Sequence, residues 1–234
     1  MLVTQQDTSS KCKLVTSFSP TRLEAQHKVI ESWKKYNIPI VAVQCIGESY
    51  AKDFTDNIVW VKPNLHWSKK VPSIIDLIKQ ASNDPIILIN SDIEISHLDN
   101  WNTKPVSSKT LKIGLRTDYC DKFEQLNKYG LDVFLITPEM LEHLTNNIWA
   151  LGQPGWDYWV VYKLYQEGYE LDIVDKGFLH EFHQEQWSKE DYRRCALLLE
   201  FEFGIPVQDI SDKLQELTGR THLKKRQWED VYRD

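Results

Sequence analysis

A chain of 234 residues can form one substantial α/β domain or two small ones, and a domain of this size buries roughly 70% of the surface its unfolded chain exposes. Hydrophobic residues are 41% and charged residues 26%, ordinary for a soluble globular protein, while the formal charge of -6 excludes a chain devoted to a nucleic-acid backbone, because no basic excess exists to displace counterions. Cys12, Cys45, Cys120 and Cys195 lie far apart without paired spacing, which argues against a zinc knuckle or redox pair and reads as free thiols in a reducing cytoplasm. Met1 to Lys13 is polar, and no run nears the ~18 apolar residues that span a bilayer, so a soluble protein without a classical secretion signal is expected.

Taken in chain order, Lys13 to Ser17 predicts a short strand ending in the loop residues Ser19-Pro20-Thr21. From Arg22 to Tyr36, Leu23, Val29, Ile30, Trp33 and Tyr36 recur near helical spacing, and Asn37 and Pro39 stop the run. Ile40 to Cys45 is a continuous apolar strand of the kind covered on both faces. A strand at Ile58 to Val61, a helix opening at Pro72 and the apolar strand Ile86 to Ile89 continue the alternation. That last strand runs straight into Asn90-Ser91-Asp92-Ile93-Glu94, read as an irregular turn carrying two carboxylates.

Later strands are weaker, with Lys112 to Leu115 and Val133 to Ile136 the best candidates, so the sheet is expected to become mixed there. Thr137 as cap and Pro138 at the first position predict a short helix. Gly155 to Glu167 predicts a helix carrying Trp156 and Trp159, which read more readily as core than as a sugar platform, and Leu171 to Val174 a strand. Beyond His180 to Gln186 the chain reads as helical, one helix capped at Ser188 with Asp191 three residues on and another opening at Pro206; Lys224-Lys225-Arg226 reads as a solvated end. No repeat or linker appears, so the expected partition is one domain over residues 1–187 and a helical extension over 188–234 packed on it.

In open α/β sheets, ligands collect beyond the carboxyl ends of the strands. Asp92 and Glu94 stand at that address, and two carboxylates on one turn can offer hard oxygen ligands to Mn²⁺ or Mg²⁺. His180 and His183 lie three apart, so one imidazole can complete such a site from a distant loop; they share a face if the segment is helical and not if it is extended. Asp157, expected in the first turn of its helix, can act as general base or simply bind a hydroxyl, the alternative being a favourable charge at a helix N-terminus. Arg116, Asp118 and Asp132 flank strands; Arg116 is the better phosphate partner, its planar fork matching paired oxygens, and each alone also fits a surface charge.

Four segments together resemble the GT-A type glycosyltransferases of the nucleotide-diphospho-sugar transferase superfamily. They are Thr16-Ser17-Phe18-Ser19-Pro20 with Gln26 and Ser32-Trp33; Ile86 to Ile95 as an Asp-x-Glu form of the metal motif; Tyr129-Gly130-Leu131-Asp132-Val133-Phe134 followed by Leu151-Gly152 through Trp159; and Asp175 with His180-Glu181-Phe182-His183-Gln184. The resemblance spans roughly residues 13–187. It implies a three-layer α/β/α sandwich of Rossmann-like type, with a mixed, mainly parallel central sheet. It also implies that Asp92 and Glu94 bind the metal, that His180 or His183 completes the coordination, and that Asp157 serves the acceptor. The first loop, with Ser17, Ser19 and Arg22, then frames the nucleotide, Arg116 meets its phosphates, and Glu48 is the candidate reader of the base.

The function so implied is metal-dependent transfer of a sugar from a nucleoside-diphosphate sugar to a hydroxyl acceptor, whether glycan, lipid or small molecule. A non-catalytic nucleotide- or sugar-binding relative is the alternative. A nucleotidyltransferase ranks last, because Ser17 to Arg22 contains no glycine with which to cradle a triphosphate.

Overall fold

The computed structural model describes residues 12–67, 69–98, 101, 107, 109–183 and 187–223. Residues 1–11, Gln184 to Gln186 and the Lys224-Lys225-Arg226 run lie outside them.

Strands β1 (Lys13–Thr16), β2 (Ile40–Cys45), β3 (Ile58–Val61) and β4 (Ile86–Ile89) form a parallel half in the order β3-β2-β1-β4. Every residue of β4 is buried, as its unbroken apolar run requires. Strands β5 (Ile93–Ile95), β6 (Thr110–Cys120), β7 (Phe123–Ile136) and β8 (Glu170–Glu181) complete one sheet of eight, order β3-β2-β1-β4-β7-β6-β8-β5. The β4–β7, β6–β7 and β5–β8 pairings are antiparallel and β6–β8 is parallel, so the sheet is mixed with the parallel pairings in the majority.

Helices cover both faces. Helix α1 (Leu23–Lys34) contributes Val29, Ile30 and Trp33 to an apolar cluster with Leu14, Ile87, Ile89 and Phe178. On the other face, α2 (Ile74–Ile78) and α3 (Trp156–Gln166) pack with Val15, Leu88, Phe134 and Trp149. Cys195 and Leu199 of α4 (Lys189–Phe203) and Ile210 and Leu214 of α5 (Val207–Leu217) belong to this same cluster. Trp159 is fully buried, with its indole N–H donated to Glu202 of α4, and Trp156 is 3% exposed.

Three local readings change. Strands β6 and β7 extend far beyond their apolar ends and join through Asp121 and Lys122, because their distal halves carry polar side chains whose burial comes from one another. Ile93 to Ile95 is a strand rather than part of a turn. Thr137 makes no side-chain cap, and the segment from Pro138 is a 3-10 turn. By contrast, Ser188 and Asp191 form a reciprocal capping box.

Gly155 fixes the entry to α3. Its φ is +82°, and an added Cβ would stand 2.1 Å from Cys195 Sγ. Gly155→Ala is therefore expected to destabilise the fold by about 2–4 kcal/mol, combining left-handed backbone cost with overpacking. Urea unfolding of Gly155→Ala and of Gly155→Ala/Cys195→Ala checks this: the second substitution recovers the overlap part but not the backbone part, whereas no recovery contradicts the contact.

Candidate active site

The carboxyl ends of β1, β2 and β4 open onto a cleft of about 740 Å³ that also takes in the distal β6–β7 hairpin, the end of β8 and the first turn of α3. Two buried amides hold its first wall. Gln44, alone polar in the run of β2, accepts from the Ser17 hydroxyl at 2.8 Å and the Phe18 N–H at 2.6 Å. Gln26 accepts from the Ser19 N–H and donates to the carbonyls of Ser19 and Thr21, which closes the loop before α1. Arg22 follows with φ +56°, a conformation uncommon for a side-chain-bearing residue, and pairs with Glu181 at 3.7 Å. Glu48, buried beside Gln44, accepts from the Cys45 N–H at 2.9 Å.

Ser32 and Trp33 of α1 set the second wall. Ser32 accepts the Ile95 N–H at 2.9 Å and the Trp33 indole donates to the Ile93 carbonyl at 2.8 Å, so α1 holds β5 and thereby the turn carrying Asp92. Asp92 Oδ2 lies 3.5 Å from His180 Nε2 and 3.6 Å from His183 Nε2. Strand β8 ends at Glu181, and the chain beyond it brings His183 back towards His180 with ring centroids 5.0 Å apart. Among the described residues these three form a group whose ligand atoms all lie within 4.8 Å of one another.

Glu94 lies outside that group. Side chains alternate across a strand, and register partners share a face: Ile93 pairs with His180, whereas Glu94 pairs with Leu179. Glu94 therefore turns away from His180 and meets Lys28 at 3.0 Å and the Tyr119 hydroxyl. The expectation that Glu94 is a metal ligand rested on an irregular turn, and the strand replaces it with a closed carboxylate–lysine–tyrosine contact. The other predicted positions, Ser17, Ser19, Arg22, Glu48, Asp92, Arg116, Asp157, His180 and His183, all line the cleft.

Behind the histidines lies a buried polar cluster. Arg116 donates from Nη1 to Asp132 Oδ2 at 3.0 Å, and its Nε stands 3.1 Å from Asp118 Oδ1 as an ion pair outside hydrogen-bond geometry. Asp118 also meets His180 Nδ1 at 2.9 Å and accepts from the Asn127 amide. Asp132 accepts from Asn90, next to the Asp92 turn, at 2.5 Å. Arg116 is thus ion-paired with two carboxylates, which makes it a cluster organiser more than a free phosphate hook. Its guanidinium remains protonated, since the charges of Asp132 and Asp118 outweigh burial.

An ionised carboxylate can only accept, so Asp118 keeps a proton on His180 Nδ1 and leaves Nε2 facing Asp92. That is the carboxylate–histidine arrangement by which proteins orient metal-binding imidazoles. Burial opposes ionisation of Asp92, yet His180, His183 and Arg116 hold its carboxyl well below the usual range. Burial and Arg116 lower the His180 pKa, but Asp92 and Asp118 outweigh them and raise it. Asp92 Oδ1 is buried with no hydrogen-bond partner, a lone pair that a cation would satisfy.

Asp157 lines the cleft from the first turn of α3 and accepts from the Leu131 N–H at 3.3 Å. Burial, reinforced by the charge of Asp132, raises its pKa to about 7 against the Tyr158 and Leu131 N–H groups and Arg116. Motif reading singled out neither Gln44 nor Asn127; the lone amide within an apolar strand was a signal for the first, and nothing local marks the second.

A carboxyl raised in the folded state binds its proton more tightly there, so its contribution to stability is full below about pH 4 and declines as pH rises towards 7. Wild-type stability relative to Asp157→Asn is expected to fall by about 1 kcal/mol per pH unit across that window, read by urea unfolding at pH 5, 6 and 8. Parallel curves for the two proteins would show that Asp157 ionises normally.

No protein-family model and no curated protein sequence matches the chain. Among solved structures it is similar to HddC from Yersinia pseudotuberculosis, at 11% identity over 79% of this chain and 97% of that one, with a TM-score of 0.46. A candidate glucose-1-phosphate thymidylyltransferase from Bacillus anthracis, in complex with sucrose, is 8% identical over 80% and 94%, with a TM-score of 0.45. A glycosyltransferase involved in glycosylation of the major capsid of PBCV-1 is 10% identical over 80% and 99%, with a TM-score of 0.38. Likeness at this level says nothing about the chemistry of the cleft.

Proposed function

We propose that the chain is a metal-dependent glycosyltransferase, moving a sugar from a nucleoside-diphosphate donor to a hydroxyl-bearing acceptor. The observation that carries this reading is the convergence of Asp92, His180 and His183 in the lining of a large cleft, with Asp118 orienting His180 from behind. Residues 1–187 then form the transferase body, and the helices from residue 188 onward close the acceptor side.

The donor set fits a divalent cation. Neighbouring ligands around a six-coordinate ion stand about 3 Å apart, close to the two separations from Asp92 Oδ2. Two imidazoles and one carboxylate suit Mn²⁺ better than Mg²⁺, which prefers oxygen ligands, so Mn²⁺ is the better of the two expected ions. When bound, such an ion neutralises a diphosphate and supports its departure.

The chain's own residues supply the rest. Arg22, Lys69 and Lys70 line the cleft where a diphosphate and its nucleoside would lie. Glu48 lines the same end, its Oε2 held by the Cys45 N–H, and presents a carboxylate towards a base. Asp157, with a pKa near 7, is poised to take a proton from an acceptor hydroxyl at neutral pH.

Mn²⁺ binding to the wild-type protein and to Asp92→Asn, followed by electron paramagnetic resonance with and without uridine or guanosine diphosphate, tests the proposal. The substitution is expected to weaken Mn²⁺ binding at least tenfold and to abolish metal-stimulated donor hydrolysis while the fold persists. Equal binding and turnover in the variant would remove the proposal. Loss of binding in the variant together with a wild type that binds diphosphate but never cleaves donor would identify a binding module instead.

A further inference from the structure

Strands β6 and β7 do not pair evenly. Leu115 pairs with Leu131 and Thr117 with Leu126, so the single residue Arg116 on β6 faces the four residues Asn127 to Gly130 on β7. Such a bulge interrupts the ladder and leaves main-chain groups to find other partners. Within it, the Asn127 side chain accepts the N–H groups of Tyr129 at 2.8 Å and Gly130 at 2.6 Å, while its amide nitrogen donates to Asp118. Gly130 lies so close to the ion cluster that an added Cβ would stand 2.7 Å from Arg116 Nε and 2.8 Å from Asp132 Oδ2.

The carbonyls at the two ends of the bulge go to one side chain. Arg220, 1% exposed and just past the C-terminal end of α5, donates from Nη1 to the Asn127 carbonyl at 3.1 Å and the Gly130 carbonyl at 2.9 Å. Its Nε donates to the Thr218 hydroxyl at 2.9 Å, and Thr218 donates in turn to the Leu214 carbonyl at 2.7 Å, which ties the guanidinium to α5. Among the described residues, no carboxylate forms a salt bridge with Arg220, and burial lowers its pKa to about 10. A buried cation without a paired anion is a costly way to fill space. A guanidinium whose Nη1 grips two carbonyls while its Nε is anchored on Thr218 is a reason to keep it.

We infer that Arg220 is a positioning residue for His180, acting from the helical extension by stapling the Asn127–Gly130 bulge so that Asn127 holds Asp118 against the imidazole. Its route is a continuous series of contacts: Arg220 to the Asn127 carbonyl, the Asn127 amide to Asp118, and Asp118 to His180 Nδ1. The helical extension therefore completes the site from beneath, without lining it at Arg220. This inference rests on the metal-site reading only in its second readout below.

The test uses the full chain with Arg220→Met, Arg220→Lys as a milder variant, Asn127→Ala, the Arg220→Met/Asn127→Ala double variant, and Leu214→Ala as a destabilised control on the same helix. The first readout needs no metal: solvent exchange of the His180 Nδ1 proton, followed by NMR in 15N-histidine protein and assigned with His180→Gln. Exchange is expected to quicken at least fivefold in Arg220→Met, less in Arg220→Lys, and not in Leu214→Ala at matched loss of Tm. In the Asn127→Ala background, Arg220→Met should add nothing further. The second readout is Mn²⁺ affinity, expected to fall threefold to tenfold in the same order. Wild-type exchange in folded Arg220→Lys, or effects of Arg220 and Asn127 that simply add, would overturn the inference. If the wild type binds no Mn²⁺ while the exchange pattern holds, the metal reading fails and the positioning role stands.

Discussion

The site depends on one half-buried cation shared by two buried carboxylates. Arg116, between Asp118 and Asp132, is what allows acidic side chains from two neighbouring strands to be packed together away from water. Removing either partner would leave an uncompensated buried charge, so the three hold one another in place. Each carboxylate also makes a second contact that reaches the site. Asp118 fixes the tautomer and direction of His180, and Asp132 grips Asn90 beside the Asp92 turn. Asp157 feels the same cluster through the negative charge of Asp132, which helps to raise its pKa.

The charge balance is informative. Asp92, Asp118 and Asp132 carry three negative charges against the one of Arg116, leaving the region short of positive charge by two. A divalent cation held by Asp92, His180 and His183 would meet that deficit and satisfy the buried Asp92 Oδ1. Without it, the raised pKa of His180 is the protein's own partial remedy. The framework around this centre is made by side chains bonded to backbone. Gln26 and Gln44 shape the loop of one wall, Ser32 and Trp33 seat β5 behind Asp92, and Arg220 caps the bulge of the other wall. Rigid placement of loops by buried polar groups is costly unless every member is satisfied, and here these side chains are satisfied largely by main-chain groups.

The parallel half of the fold was legible because β2 and β4 are buried on both faces and so spell continuous apolar runs, and the half-buried edge strand β3 is a short apolar run too; β2, β3 and β4 begin and end where their sequences say. The distal β6–β7 hairpin was not, because Asp118 is buried against the half-buried Arg116 and Asn127 rather than against hydrocarbon, and a hydropathy pattern registers all three as surface. The same cause explains Glu94. Acidic residues two apart look like a chelating pair when the segment is read as a turn, but three strand residues paired to β8 send the second carboxylate to the other face. His180 and His183 could be flagged by type and spacing, yet neither a helical nor an extended reading brings both rings to Asp92; that took a strand end followed by a return of the chain. Arg220 lies 93 residues from Asn127, a separation at which local sequence carries no signal of contact.

The most direct measurement of the central claim is an anomalous-difference map from crystals soaked in Mn²⁺ with a nucleoside diphosphate. The account predicts one strong peak within coordination distance of a carboxylate oxygen of Asp92 and of Nε2 of both His180 and His183, with the diphosphate reaching it from the side of Arg22. A peak at Glu94, or a nucleotide bound in the cleft with no ion at the two histidines, would contradict it.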